Sequence, residues 1–245
     1  MTLAWALVAT GCHEQLDEVD GIFDDGAGQK VHCGADLDDR TRTTLDSIDG
    51  ALDRAVARGE TVELYAHHPG ATVALATLDH LLAGAVARGL PFVQYRDFAA
   101  GTVHGPGLAL SFDDTSIQAW TDTQPLFAQY GAKVTFFVSR FPAISDDGRR
   151  QLHALADAGH DIEAHSILHL RAPQYVEEHG LQAYLDDEAQ PSIDLLRADG
   201  FDIVAYAYPF GARTSELDRA LLERVTVLRS VAFPWSVGVD SPCPR

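Results

Sequence analysis

Apolar residues recur along this chain in two rhythms, one of helical period and one of short unbroken runs. From Thr41 to Arg58, the positions Leu45, Ile48, Leu52 and Val56 share one helical face, and Gly59 supplies a stop. The same period predicts helices over 75–88, ended by Gly89; 117–130; 148–158, ended by Gly159; 176–198, broken in two by Pro191; and 215–224. Between them lie runs of strand length: 61–66, 91–95, 108–112, 133–139, 161–164, 203–207 and 225–231, with an earlier strand expected at Leu3–Ala9. The acidic, glycine-punctuated stretch 12–39 has no sustained period and reads as an irregular loop, and 99–107 reads as a linker or long loop. Strands alternating with helices predict an α/β fold with a parallel sheet. With about seven strands, that sheet is expected to close into a distorted (β/α) barrel. Chemistry in such barrels sits at the C-terminal ends of strands. Asp113, Asp114, His165, His169, His67 and Phe210 all fall just beyond predicted strand ends.

Composition narrows the function more than the fold. The 245 residues, 46% of them hydrophobic, suffice for one large domain or two small ones. With 36 acidic residues against 18 basic, a net charge of -18 disfavours nucleic acid and anionic membrane as partners. A neutral glycan suits such a surface better, although acidity also serves solubility alone. No apolar run approaches the roughly 20 residues needed to cross a bilayer. Ala9-Thr10-Gly11-Cys12 is similar to a lipoprotein cleavage site, but no Lys or Arg precedes it, and a buried strand is the favoured reading. Cys12, Cys33 and Cys243 lack metal-site spacing and are read as bystanders. The acidic cluster from Asp17 to Asp25 lacks calcium-loop spacing and is read as a solvated loop.

Two clusters carry the chemistry. The run Leu108-Ala109-Leu110 delivers adjacent carboxylates, Asp113 and Asp114, to the end of a strand. About fifty residues later, His165 and His169 stand at i and i+4 after another strand. One carboxylate and two imidazoles form a three-ligand metal set with open positions, and the neighbouring carboxylate is placed to act as a base. Together they point to metal-assisted hydrolysis.

These motifs resemble those of the polysaccharide deacetylase family, the NodB-homology domain of carbohydrate esterase family 4. Ser111-Phe112-Asp113-Asp114-Thr115 is similar to its first motif, T-F-D-D-G, with Thr115 in place of the glycine. His165 to His169 matches its second, H-[ST]-x-x-H, and Lys133 to Val138 looks like the strand between them. Ala207-Tyr208-Pro209-Phe210-Gly211 resembles the third motif, with Ala207 where the family's base-orienting arginine usually stands; Arg229 on the next strand is the candidate substitute. The last motif, [LY]-x-H, does not follow Phe210. Tyr65-Ala66-His67 resembles it instead, so the chain reads as one circularly permuted domain: 1–98 equivalent to the family's C-terminal part, 99–107 a linker, and 108–245 its N-terminal part. The resemblance implies Asp114, His165 and His169 as ligands of one divalent metal, zinc by default with cobalt, iron or nickel as alternatives. It also implies Asp113 as general base, His67 (with His68 as rival) as general acid, and the Phe210 backbone N–H as oxyanion donor.

The expected activity is therefore that of a hydrolase of carbon–nitrogen bonds other than peptide bonds, removing N-acetyl (or O-acetyl) groups from an acetylated glycan. A catalytically impaired glycan-binding module and a hydrolase of a non-sugar amide or imide are the alternatives. A glycan substrate favours a secreted or cell-envelope location. Trp120, Trp235 and Tyr206 could stack on sugar rings, but aromatics beside apolar runs more often belong to the core.

Overall fold

The computed structural model describes residues 15–232. Seven parallel strands close into a barrel: β2 (Val31–Asp36), β3 (Thr61–Ala66), β5 (Gly107–Asp114), β6 (Thr135–Val138), β7 (Asp161–Ala164), β8 (Ala205–Ala207) and β9 (Val227–Val231). The ring runs β3-β2-β9-β8-β7-β6-β5 and is shut by β3 against β5, in register from Thr61↔Gly107 to Ala66↔Phe112. Two short strands lie outside it. β1 (Phe23–Asp24) runs antiparallel to β3, and β4 (Phe92–Val93) pairs only with the start of β5.

Helices α1 (Leu45–Arg58), α2 (Leu75–Ala87), α4 (Ile117–Tyr130), α5 (Asp146–Asp157), α8 (Gln190–Asp199) and α9 (Ser215–Leu221) supply the main apolar stripes around the barrel. The sequence signals for α1 act as expected: Thr44 caps the Ser47 N–H, and Gly59 ends the helix at φ 71. The short helix α3 (Tyr95–Ala100) packs at the N-terminal end of the barrel strands. Its Tyr95 N–H donates to Thr135 and its Arg96 N–H to Asp161, the first residues of β6 and β7. Tyr95 and Phe98 then fill the barrel interior with Phe137, Ala109, Ala205, Ala207 and Val227.

The period-two rule places the site. On β5, Leu108, Leu110 and Phe112 join the outer core, so Ala109, Ser111 and Asp113 face the axis. On β3 the outward set is Val62, Leu64 and Ala66, and the inward set Thr61, Glu63 and Tyr65.

Several expectations are corrected. The stretch read as an irregular loop, 12–39, contains the barrel strand β2. All six β2 residues are buried, and the inward ones are polar or glycine (His32, Gly34, Asp36), so neither an apolar run nor an alternation marks it. The run 91–95 yields only β4, outside the ring. The long helix over 176–198 breaks at Gly180 (φ 91), not at Pro191, giving α6 (Ala172–His179), α7 (Leu181–Tyr184), a π turn at Leu185–Ala189 and then α8. Pro191 lies in the first turn of α8, where its missing N–H has no helical partner to lose. Ala99 and Ala100, read as linker, end α3. Cys33 is disulfide-bonded and not a bystander. Asp20 pairs with Arg54, and Asp24 is buried, so the acidic cluster is not simply a solvated loop. Leu3–Ala9, Cys12, Trp235 and Cys243 lie outside the described residues.

Candidate active site

At the C-terminal end of the barrel a cleft of about 590 Å³ is lined by Asp38, His67, Asp113, Asp114, His165, His169, Phe210 and Arg229, among others. The structure thus brings together Asp113, Asp114, His67, His165, His169 and Phe210, the six residues expected just beyond strand ends. Asp114, the last residue of β5, turns into the left-handed region (φ 81). Ligand atoms of Asp114, His165 and His169 lie within 4.8 Å of one another. His169 Nε2 is 3.2 Å and His165 Nε2 3.8 Å from Asp114 Oδ1. His165 Nδ1 donates to the Ala207 carbonyl at 2.9 Å, leaving Nε2 as the ligating nitrogen. Burial lowers the pKa of both imidazoles, that of His169 to about 4, so both are neutral near pH 7. Two neutral imidazoles and a carboxylate fit a divalent metal of the zinc type.

Asp113 is fully enclosed. Burial raises its pKa, but the Arg229 guanidinium, by charge and hydrogen bond, with smaller help from His165 and His67, outweighs this and holds it below the usual carboxylate value. Arg229 is itself 0% exposed, bonds Asp113 directly and lies over the rings of Tyr65 (4.7 Å) and Phe137 (5.1 Å). Strand β9, paired with β8 at Ala207↔Arg229, thus brings a guanidinium onto Asp113.

On the far side, His67 Nδ1 bonds Asp38 Oδ2 at 2.8 Å. Asp38 Oδ1 also accepts from the His67 N–H (3.2 Å) and the Thr72 hydroxyl (2.7 Å). Burial alone would lower the His67 pKa; the bond to Asp38 and the charges of Asp113, Asp38 and Asp114 raise it to about 8. His68, the rival, is exposed, and its backbone N–H bonds Thr72. Asp36, Asp38 and His67 also place ligand atoms within 4.8 Å of one another. That group already holds a cation, since Arg40 meets Asp36 at 2.8 Å, and it is better described as the setting of His67. The sequence reading missed Asp38 because it lay in the stretch taken for irregular loop.

Phe210 sits in a single 3₁₀ turn after β8 with φ 59, its ring between His169 (4.6 Å) and the Arg171 guanidinium (4.3 Å). Asp114, Ser166 (φ 67), His169 (φ 62) and Phe210 are four of the six non-glycine residues with left-handed backbone among the described residues, a concentration of strain typical of functional sites. Trp120 and Tyr206 are not sugar platforms: both are fully buried, and Trp120 Nε1 donates to the His67 carbonyl at 2.9 Å.

By fold the chain is similar to IcaB from Ammonifex degensii (17% identity, 75% of this chain and 86% of that one, TM-score 0.57). It is also similar to the BpsB deacetylase domain from Bordetella bronchiseptica (18%, 86% and 96%, TM-score 0.52). A third likeness is to BC0361, a polysaccharide deacetylase from Bacillus cereus (14%, 63% and 49%, TM-score 0.51). No curated protein sequence matches significantly. The sequence pattern of the family "Polysaccharide deacetylase" matches residues 100–225, a span that holds Asp113, Asp114, His165, His169 and Phe210. The chain therefore belongs to the polysaccharide deacetylase family, hydrolases of carbon–nitrogen bonds other than peptide bonds.

Proposed function

We propose that the protein is a metal-dependent deacetylase that removes N-acetyl (or O-acetyl) groups from a carbohydrate. The observation that carries this reading is the convergence of the Asp114–His165–His169 ligand set with a charge-paired Asp113 and an Asp38-bound His67 in one cleft. A divalent ion held by Asp114, His165 and His169, zinc by default, would supply Lewis-acid polarisation. Asp113, kept ionised and oriented by Arg229, accepts the proton of the attacking water. The Phe210 N–H stabilises the oxyanion of the tetrahedral intermediate. His67, with Nδ1 committed to Asp38 and a pKa of about 8, is protonated near pH 7 and donates from Nε2 to the leaving nitrogen or oxygen. Cleavage releases acetate and the free amine or alcohol.

Circular permutation is part of the proposal. The family pattern begins at residue 100, just before the first-motif strand β5, while His67 follows β3, which pairs with β5 along its length. Strands at opposite ends of the ordinary order are neighbours in a closed barrel, so joining them needs only a short connection.

The test is acetate release from acetylated chitooligosaccharides and acetylxylan by chelated and by zinc- or cobalt-reloaded protein. Metal-restored release, abolished in Asp113→Asn and strongly reduced in His67→Ala, is the expected result. Stoichiometric metal binding with no release from either substrate would turn the reading to a binding module or to a non-sugar amide.

A further inference from the structure

Glu188 is a carboxylate on an apolar stripe. Leu185, Ala189, Ser192, Ile193 and Leu196 form the buried face running from the π turn into α8, and Glu188 lies among them at 0% exposure. Among the described residues it has no ion-pair partner, and its Oε1 has no hydrogen bond. A buried, unpaired carboxylate is costly, and one that survives on a packing face calls for a reason other than packing. The π turn adds a residue to the helical turn that carries Glu188, a distortion found often at functional sites.

Among the described residues, the one hydrogen bond of this carboxylate shows where it acts. Glu188 Oε2 accepts the Leu168 N–H at 2.9 Å. The Leu168 side chain is 59% exposed, so Glu188 holds the backbone of that loop and not a core residue. The loop runs between two ligands of the proposed metal centre and carries positive φ at Ser166 and His169. The next N–H, that of His169, bonds Ser166 Oγ at 2.9 Å. His165 has its own anchor in the Ala207 carbonyl. The His169 ring is steered by Asp114 and by ring contacts with His165 and Phe210, so its place depends on how the loop backbone is held.

We infer that Glu188 is a positioning residue for the metal-binding loop, clamping the Leu168 amide so that His169 is presented to Asp114 and His165. This rests on the reading of the metal centre given above. The test compares wild type with Glu188→Ala, Glu188→Gln and Ile193→Ala, the last from the same buried stripe. Zinc affinity is read by competition with a chromophoric chelator, the site geometry by the visible spectrum of the cobalt form, and the clamp by hydrogen exchange of the Leu168 amide in metal-free protein. Glu188→Ala is expected to weaken zinc binding about 10- to 100-fold and to alter the cobalt spectrum. Glu188→Gln, which keeps an acceptor oxygen, should stay within a few-fold of wild type. Ile193→Ala should lower thermal stability and leave affinity unchanged. Wild-type affinity and spectrum in Glu188→Ala, or an equal affinity loss in Ile193→Ala, would overturn the inference. If Glu188→Ala does not fold, the wild-type protein decides: a protected Leu168 amide supports the clamp, and one exchanging as freely as an open loop refutes it. A wild-type protein that binds no zinc would instead sink the metal centre itself, a distinguishable failure.

Discussion

Replacing Asp38 by Asn tests the proposed acid directly. The carboxylate is 1% exposed and takes two bonds from one residue, the His67 ring at 2.8 Å and its N–H at 3.2 Å, so the change removes a buried charge from beside an imidazole without removing volume. In the wild type, His67 is raised from 6.5 to about 8 against the opposing effect of burial. At about 1.4 kcal/mol per pH unit, that is about 2 kcal/mol in favour of the imidazolium. Without the Asp38 charge and hydrogen bond the value should fall, with only Asp113 and Asp114 left to oppose burial. The alkaline limb of kcat/KM should then move acidward, with the loss of activity greater on its alkaline side than at pH 6. Stability carries the same signature. A raised histidine pKa stabilises the fold fully below 6.5, and this contribution is lost as pH rises through about 8. The lowered Asp38 pKa adds stability that appears above its ordinary 3.8 and is lost in acid. The gap between wild type and Asp38→Asn should therefore be widest between about pH 4 and 6.5 and narrow above pH 8. The His67 titration is best followed by NMR on chelated protein, because a bound cation near Asp114 would pull the value down. An unmoved alkaline limb in Asp38→Asn, or a His67 midpoint below 6.5 in the chelated wild type, would refute the assignment.

Other outcomes follow from the same geometry. Arg229→Met should destabilise chelated protein by about 3–5 kcal/mol in urea unfolding, because it strands the buried Asp113 charge, and adding Asp113→Asn should recover part of the loss. Gly211→Ala should cost about 2 kcal/mol or more in the same assay, since the glycine has φ 64 and a Cβ there would press on Val231, whose backbone N lies 2.9 Å away. Asp114→Asn and His169→Ala should each abolish stoichiometric zinc uptake by equilibrium dialysis while keeping the circular dichroism of the fold. Saturating zinc should raise the melting temperature of wild type but not of these variants.

Legibility in the sequence tracked burial chemistry. Strands with apolar outward faces, such as β5 with Leu108, Leu110 and Phe112, were visible because they bury those faces under helices. Strand β2 was not, because its inward positions are His32, Gly34 and Asp36 rather than apolar residues. The loss of β2 hid Asp38, two residues beyond its end. Helix ends with glycine stops were legible, as at Gly59, whereas the break at Gly180 was assigned to Pro191 because a proline in a first turn looks from sequence like one that interrupts a helix.

By itself, then, the sequence determined the α/β alternation, the strand-end placement of Asp113, Asp114, His165, His169 and His67, and the types of group available for chemistry. These are local properties, set by period, turn chemistry and spacing within one segment. Only the tertiary structure decided which groups meet across the barrel: Arg229 with Asp113, 116 residues apart, Asp38 with His67, and Glu188 with the Leu168 amide. Those pairings depend on strand order and ring closure, which bring distant segments to one end of one barrel, and no local pattern encodes them.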